Sequence, residues 1–162
     1  REEGPREEDA REDHIQQQAR KEIVMTAPAD TPKKILVRMP MELRWRDLDA
    51  FNHVNNSNFM TYLEEARIRW FESTGKAWIT EDHIPLLAAV QMNYRLPIPY
   101  PSQVFVELFA DRVGNTSVTL GHRIVDTDDR VHADGHCVLV WIDRHSGRPI
   151  PLPEAVRASA ER

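Results

Sequence analysis

One amphipathic helix followed by a series of strand-like runs predicts an α+β fold, with the helix laid on a predominantly antiparallel sheet. Two patterns carry this expectation. Between Ser57 and Thr74, Phe59, Leu63, Ala66 and Trp70 recur at spacings of four, three and four. That is a single apolar stripe at helical period, which Tyr62 widens, while Glu64, Glu65, Arg67, Arg69 and Glu72 occupy the other faces. Downstream the period changes to two. Leu86–Arg95, Gln103–Val113, Thr116–Asp126 and Val131–Asp143 read as strands, separated by turns that carry Pro, Gly or Asp.

The elements follow in order. Residues 1–33 are polar, charge-dense and poor in aromatics, so they read as a disordered or partly helical tail. Residues 34–153 form the folded domain, and 154–162 an Ala-rich tail expected to be a frayed helical end. Ile35 to Arg46 reads as a first strand, placed near an edge by Pro40, which has no N–H for a ladder. The helix takes its N-cap from Asn56, Ser57 or Asn58, and Gly75 stands where a glycine ends a helix. Val104, Val106, Leu108 and Ala110 alternate with Phe105, Glu107, Phe109 and Asp111. Gly114-Asn115 and Asp128-Asp129 mark hairpins. Val138–Ile142 is apolar throughout, as in a strand covered on both faces.

Composition removes several function classes. With 41% hydrophobic and 29% charged residues in 162, the chain is an ordinary globular domain with room for a core. A net charge of −5 argues against nucleic acid as a partner, because phosphate contacts need a basic surface. No apolar run reaches the roughly eighteen residues of a membrane span. The single cysteine, Cys137, excludes an internal disulfide framework and fits a cytoplasmic location; its apolar strand makes it a buried structural thiol. His132 and His136 stand four apart on a strand, about 13 Å, too far to share one metal ion. No metal and no cofactor is expected.

The chemistry concentrates at Arg44-Trp45-Arg46-Asp47-Leu48-Asp49-Ala50-Phe51-Asn52-His53-Val54-Asn55-Asn56. An extended run bearing acids at i and i+2 ends in a turn, and a helix starts within a few residues. While the run stays extended, Asp47 and Asp49 point to the same side. The layout sets a carboxylate beside a helix N-terminus, whose free N–H groups and positive dipole end suit a developing oxyanion. Thioester or ester hydrolysis requires that pairing. His53, four residues after Asp49, is within reach to orient it.

The same run resembles the signature of the 4-hydroxybenzoyl-CoA thioesterase family of hotdog-fold acyl-CoA thioesterases, Asp-x-Asp-x-x-Gly-His-Val-Asn-Asn followed by an aromatic and acidic helix. The resemblance covers 34–153, through Phe59-Met60-Thr61-Tyr62-Leu63-Glu64-Glu65-Ala66-Arg67, Met92-Asn93-Tyr94-Arg95-Leu96-Pro97-Ile98 and Gly147-Arg148-Pro149-Ile150-Pro151. It departs at Asn52, where the family has glycine. Asn is the non-glycine residue most tolerant of left-handed backbone, so the turn is expected to survive.

The resemblance implies a hotdog fold, a sheet wrapped around one long helix. It implies hydrolysis of an acyl-CoA thioester to free acid and CoA. It places Asp49 as the catalytic carboxylate, either nucleophile or general base, and the Asn56 backbone N–H as the donor that polarises the carbonyl. His53 and Asn55 have supporting roles. It further implies a homodimer or dimer of dimers with the active site at the interface. The alternative reading is a non-catalytic hotdog module that binds acyl-CoA or acyl carrier protein.

Overall fold

The described residues form one antiparallel sheet of five strands, β1 (Ile35–Met41), β2 (His83–Tyr94), β3 (Val104–Val113), β4 (Ser117–Asp126) and β5 (Val131–Asp143). Their spatial order is β1-β3-β4-β5-β2, and every neighbouring pair is antiparallel. Helix α1 (Asn56–Ser73) connects β1 to β2, and a short helix α2 (Glu154–Glu161) follows β5. This computed structural model describes residues 34–75 and 78–161, all in the unit Lys33–Arg162. The unit Arg1–Pro32, and with it the tail predicted for 1–33, lies outside the described residues.

Because β1 and β2 sit at opposite edges, the connection between them must cross the sheet. α1 makes that crossing and packs over β1 and β3. Its predicted stripe faces inward: Phe59, Tyr62, Leu63, Ala66 and Trp70 are all buried. They meet Val106 and Leu108 of β3, Leu120 and Ile124 of β4, and Cys137, Leu139 and Trp141 of β5 in one core. Each large side chain moved from water into such a core contributes roughly 1.5–3 kcal/mol. Thr74 caps the helix and Gly75 follows at φ 89°, the left-handed turn expected of a terminal glycine. Trp70, Phe71, Trp78 and Trp141 form an aromatic cluster at this end, Phe71 stacking on Trp78 at 4.8 Å and meeting Trp141 edge-on at 5.7 Å.

Four expectations need correction. The chain is not extended to Arg46: β1 ends at Met41 and Trp45–Asp47 is a 3-10 turn. The helix N-cap is Asn55, one residue before the predicted candidates. Arg67 does not face outward but is 7% exposed, because at i+4 from Leu63 it falls on the apolar stripe. The stretch after Pro153 is not a frayed end. α2 inserts Val156 and Ala160 into the core, Ser159 Oγ accepts the Trp70 indole N–H at 3.1 Å, and Arg157 donates to the Gly114 carbonyl at 2.9 Å. Pro40 does lie in an edge strand, and Cys137 is fully buried, with its thiol pKa pushed up by that burial. No described helix is long and apolar enough to cross a membrane.

Arg67 has a counterpart across the helix–sheet layer. His122 lies on β4 at 1% exposure, opposite Gly135 of β5, where a Cβ would collide with the Gln91 carbonyl oxygen and crowd the His122 ring. Burial, reinforced by the positive charge of Arg67, lowers the His122 pKa to about 4. An unfolded histidine titrates near 6.5, so between about 6.5 and 4 the unfolded chain takes up a proton that the folded chain refuses. This contribution to stability is complete above pH ~6.5 and is lost as pH falls toward 4. The expected result is a thermal midpoint that drops on going from about pH 7 to pH 4.5. In His122→Gln, which cannot titrate, calorimetry should find a smaller drop over the same interval.

Candidate active site

The turn after β1 is closed by one side chain. Arg44 N–H donates to Asp47 Oδ2 at 3.0 Å and Asp47 N–H to the Arg44 carbonyl at 2.9 Å. A short acid that bonds its own upstream backbone offers the chain an alternative to extension, which is why the strand stops here. The same Asp47 Oδ2 accepts the Tyr62 hydroxyl from α1 at 3.0 Å. Its backbone carbonyl accepts the Asn55 N–H and the Asn58 side-chain amide, both at 2.8 Å. Asp47 is thus 7% exposed and fastened to the first two turns of α1. Burial, then the bond to Asp47, pushes the Tyr62 phenol pKa up, so the hydroxyl stays a donor.

From Leu48 the chain makes a tight reversal. Leu48 pairs with Val54, and Asp49 N–H donates to the His53 carbonyl at 2.8 Å. Asp49 Oδ1 accepts the N–H groups of Phe51 at 2.8 Å and His53 at 3.2 Å. Asn52 at the tip has φ 58°, so it takes the left-handed conformation that the sequence demanded of it. Asp49 is half-buried, and among the described residues its second oxygen, Oδ2, accepts no hydrogen bond. One oxygen fixes the carboxylate, and the other has no partner among the described residues.

The helix start lies directly behind this turn. Asn55 Oδ1 accepts from Ser57 N–H at 3.0 Å and Ser57 Oγ at 2.8 Å, so it caps α1. Asn56 is the first helical residue, and among the described residues its N–H has no acceptor. That amide points along a helix dipole with its positive end nearby.

The four residues singled out from the sequence therefore share one loop, with differentiated roles. Asp49 presents a free oxygen, Asn56 a free N–H and Asn55 the cap. His53 acts on Asp49 through its backbone N–H; its ring makes no hydrogen bond among the described residues. Asp47 and Asp49 do not stand side by side as an extended run requires, because the 3-10 turn carries Asp47 into the interior.

A second segment, whose contacts the sequence did not foretell, holds the loop from behind. Residues 94–100 pass along it: Ile98 O accepts Val54 N–H at 2.9 Å, and Pro99 bridges His53. The Tyr94 hydroxyl donates to the Asn56 carbonyl at 3.3 Å, and its ring meets Phe59 edge-on at 5.1 Å. Tyr100 meets Trp45 edge-on at 5.9 Å, leaving Trp45 74% exposed. The Met92–Ile98 run pointed at this segment, but no local pattern in it announces which bonds it makes. Beside Asp47 and Tyr62, a groove of about 820 Å³ opens between β1 and α1, lined by Met39, Met41, Arg44, Asn58 and Thr61 among others; Asp49 is not part of its wall. Among the described residues no group of three or more His, Cys, Asp or Glu side chains is placed to hold a metal ion.

This loop sits in a domain whose single long helix crosses a five-stranded antiparallel sheet, the topology of a hotdog fold. Comparison with known proteins agrees. The profile of the Thioesterase-like superfamily matches residues 43–159. A candidate acyl-CoA thioesterase from Xanthomonas campestris is 46% identical, with 70% of this chain and 98% of that one covered and a TM-score of 0.63. A thioesterase from Thermus thermophilus, solved with coenzyme A and zinc, is 35% identical over 81% of this chain and all of its own, at a TM-score of 0.68. The long-chain acyl-CoA thioesterase FadM of Escherichia coli K12 is 26% identical over 124 residues, 75% of this chain and 94% of FadM. The chain belongs to the Thioesterase-like superfamily, and it is a thioester hydrolase.

The Tyr62–Asp47 bond has a measurable consequence for stability. Tyr62→Phe removes a buried donor to a carboxylate and should cost about 1.5–3 kcal/mol, the range for hydrogen bonds to charged groups. Urea denaturation of the variant beside the parent protein measures it, and a midpoint unchanged from the parent would contradict the anchoring role.

Proposed function

We propose that this protein hydrolyses acyl-CoA thioesters, with Asp49 as nucleophile or general base and the Asn56 N–H as oxyanion donor. The observation that carries the reading is the division of labour within Asp49: Oδ1 is held by two backbone N–H groups while Oδ2 accepts nothing among the described residues. A carboxylate fixed by one oxygen loses little entropy when the other meets the substrate. Attack by Oδ2 on the thioester carbonyl expels the CoA thiolate and leaves an anhydride for water to open. Alternatively, Oδ2 takes a proton from the water that attacks. Both routes put negative charge on the carbonyl oxygen. A preorganised N–H at that position contributes about 3 kcal/mol to the transition state.

Release of free thiol from a panel of acyl-CoAs tests the activity directly. In Asp49→Asn the shape persists but the charge and the attacking lone pair are lost, so turnover should fall by about 10²-fold or more. Substrate affinity should change far less. Asp47→Asn, whose amide oxygen can still accept from Tyr62 and Arg44, should keep most of the turnover. If Asp49→Asn turns over substrate at the parent rate, the assignment of that acid is wrong.

The same reading includes self-association. β2 is an edge strand of 12 residues in which Leu86, Leu87, Val90 and Tyr94 are each 41–45% exposed. Adjacent residues of a strand point to opposite faces, so Leu86 and Leu87 make both faces of this edge apolar. A second copy pairing along β2 covers them and places its own surface beside the Tyr94–Asn56 contact. Light scattering at micromolar concentration should give at least a dimeric mass, and Val90→Lys should shift it toward monomer. A monomeric parent protein would refute this part of the proposal.

A further inference from the structure

We propose that His132 and Asp126 are positioning residues for the Asp49–Asn56 loop, acting through the segment 95–99. This inference rests on the Asp49–Asn56 reading and extends it to groups on the far hairpin of the sheet.

The loop has two supports. One is Asp47, described above. The other is the strap from Arg95 to Pro99, and it has to be held by something itself, since it belongs to no strand or helix. The Arg95 guanidinium ties its start to the Asp134 carboxylate at 2.8 and 3.1 Å, and His132 holds its backbone. Arg95 N–H and Leu96 N–H both donate to the His132 carbonyl, at 2.8 and 3.1 Å. The His132 ring then continues where its backbone stops, with Nδ1 3.0 Å from the Pro97 carbonyl oxygen. That oxygen only accepts, so Nδ1 carries the hydrogen and donates. Three bonds run from one side of the strap into His132. The next carbonyl, that of Ile98, turns the other way and accepts Val54 N–H at 2.9 Å, while Pro99 bridges His53. Ile98 itself is fully buried, so the strap cannot slide along its length without pulling that side chain from the core.

The ring would swivel about its own axis if only Nδ1 were engaged. Asp126 prevents this. Its Oδ2 lies 3.4 Å from His132 Nε2, and both residues are buried. Asp126 is in turn immobilised by the N–H groups of Asp128 at 2.9 Å and Arg130 at 3.0 Å and by the Arg130 guanidinium at 2.7 Å. Burial alone would raise its pKa; the bonds from Arg130, Asp128 and His132 outweigh it and hold the carboxyl at about 2. Asp126 is therefore charged throughout the neutral range. The ring thus lies between two oxygens, with Nδ1 on the Pro97 carbonyl and Nε2 facing Asp126 Oδ2. A carboxylate that orients a histidine, which orients a carbonyl next to the one on the active loop, is a chain of rigid contacts from the β4–β5 turn to Asp49. A side chain needed only to close the hairpin would have no reason to direct its ring at Pro97, 35 residues away in sequence.

The test uses the full-length protein and the acyl-CoA of the panel that the parent turns over fastest. His132→Phe keeps a flat ring but removes both ring nitrogens, and Asp126→Asn removes the orienting charge. Each should lower kcat roughly tenfold, the scale of a sub-ångström misplacement of reacting groups, while KM stays within about twofold. His132→Gln, whose side-chain amide can still donate, should recover part of the loss. On an Asp49→Asn background, His132→Phe should cause no further loss, since residues acting as a unit are not additive. If His132→Phe fails to fold, Asp126→Asn alone and on the Asp49→Asn background decides the matter. Parent-like kcat in the folded variants, a KM that rises in step with the fall in kcat, or an undiminished loss on the Asp49→Asn background overturns the proposal. A parent protein that turns over no acyl-CoA defeats the functional reading instead.

Discussion

The Asp47 carboxylate is the constraint on which the rest of the site depends. Alone in the interior it would be costly, since a buried ionised group without partners is strongly disfavoured. Here the cost is offset by the Arg44 N–H and the Tyr62 hydroxyl, and the donors come from different elements. One group thereby ends β1, starts the reversal and fixes how far along the sheet α1 begins. The backbone carbonyl of the same residue repeats the arrangement toward Asn55 and Asn58. Loop and helix cannot move independently while these bonds persist, so the spacing between the Asp49 carboxylate and the Asn56 amide is set by the fold rather than by the loop itself.

The two edges of the sheet are treated unequally. β1 carries Pro40, which withholds a donor, and Arg38, whose guanidinium reaches the buried Glu107 at 2.6 Å and lies over the Phe105 ring at 4.6 Å. Proline and charge are the usual means of discouraging further strand addition. β2 has Pro85 near its start, but beyond it the edge is apolar for most of its length. An edge so exposed is a liability in a monomer. Its retention next to the Asp49–Asn56 loop is what gives the self-association reading its weight.

How legible all this was in the sequence depended on range. Features settled within one turn or one period were readable: the stripe from Phe59 to Trp70, the glycine after the helix, the left-handed Asn52, the edge position implied by Pro40. The extended reading of residues 42–46 failed because a hydrogen bond from Arg44 to Asp47 competes with strand pairing, and no periodicity records such a bond. Arg67 was misplaced because a charged residue on an apolar stripe reads as surface until its burial is seen. The docking of α2, the Tyr94 hydroxyl at Asn56 and the His132 ring at Pro97 link residues 35 to 89 apart, and nothing local announces them. Asp49, His53, Asn55 and Asn56 could be singled out because motif and local pattern coincide. Their supports were missed because they are tertiary.

The distribution of indoles has an optical consequence. Trp70 and Trp141 are buried, and Trp78 stacks with Phe71 in the same cluster, at the C-terminal end of α1. Trp45 stands apart, exposed on the turn that leads into Asp49. The helix between the two regions rises about 1.5 Å per residue, so an excited state at one end is roughly 20 Å from the other. A soluble quencher reaches Trp45 and spares the cluster, so the emission divides into a red component from the turn before Asp49 and a blue one from the core. The molecule carries, without any label, separate reporters of the turn before Asp49 and of the core.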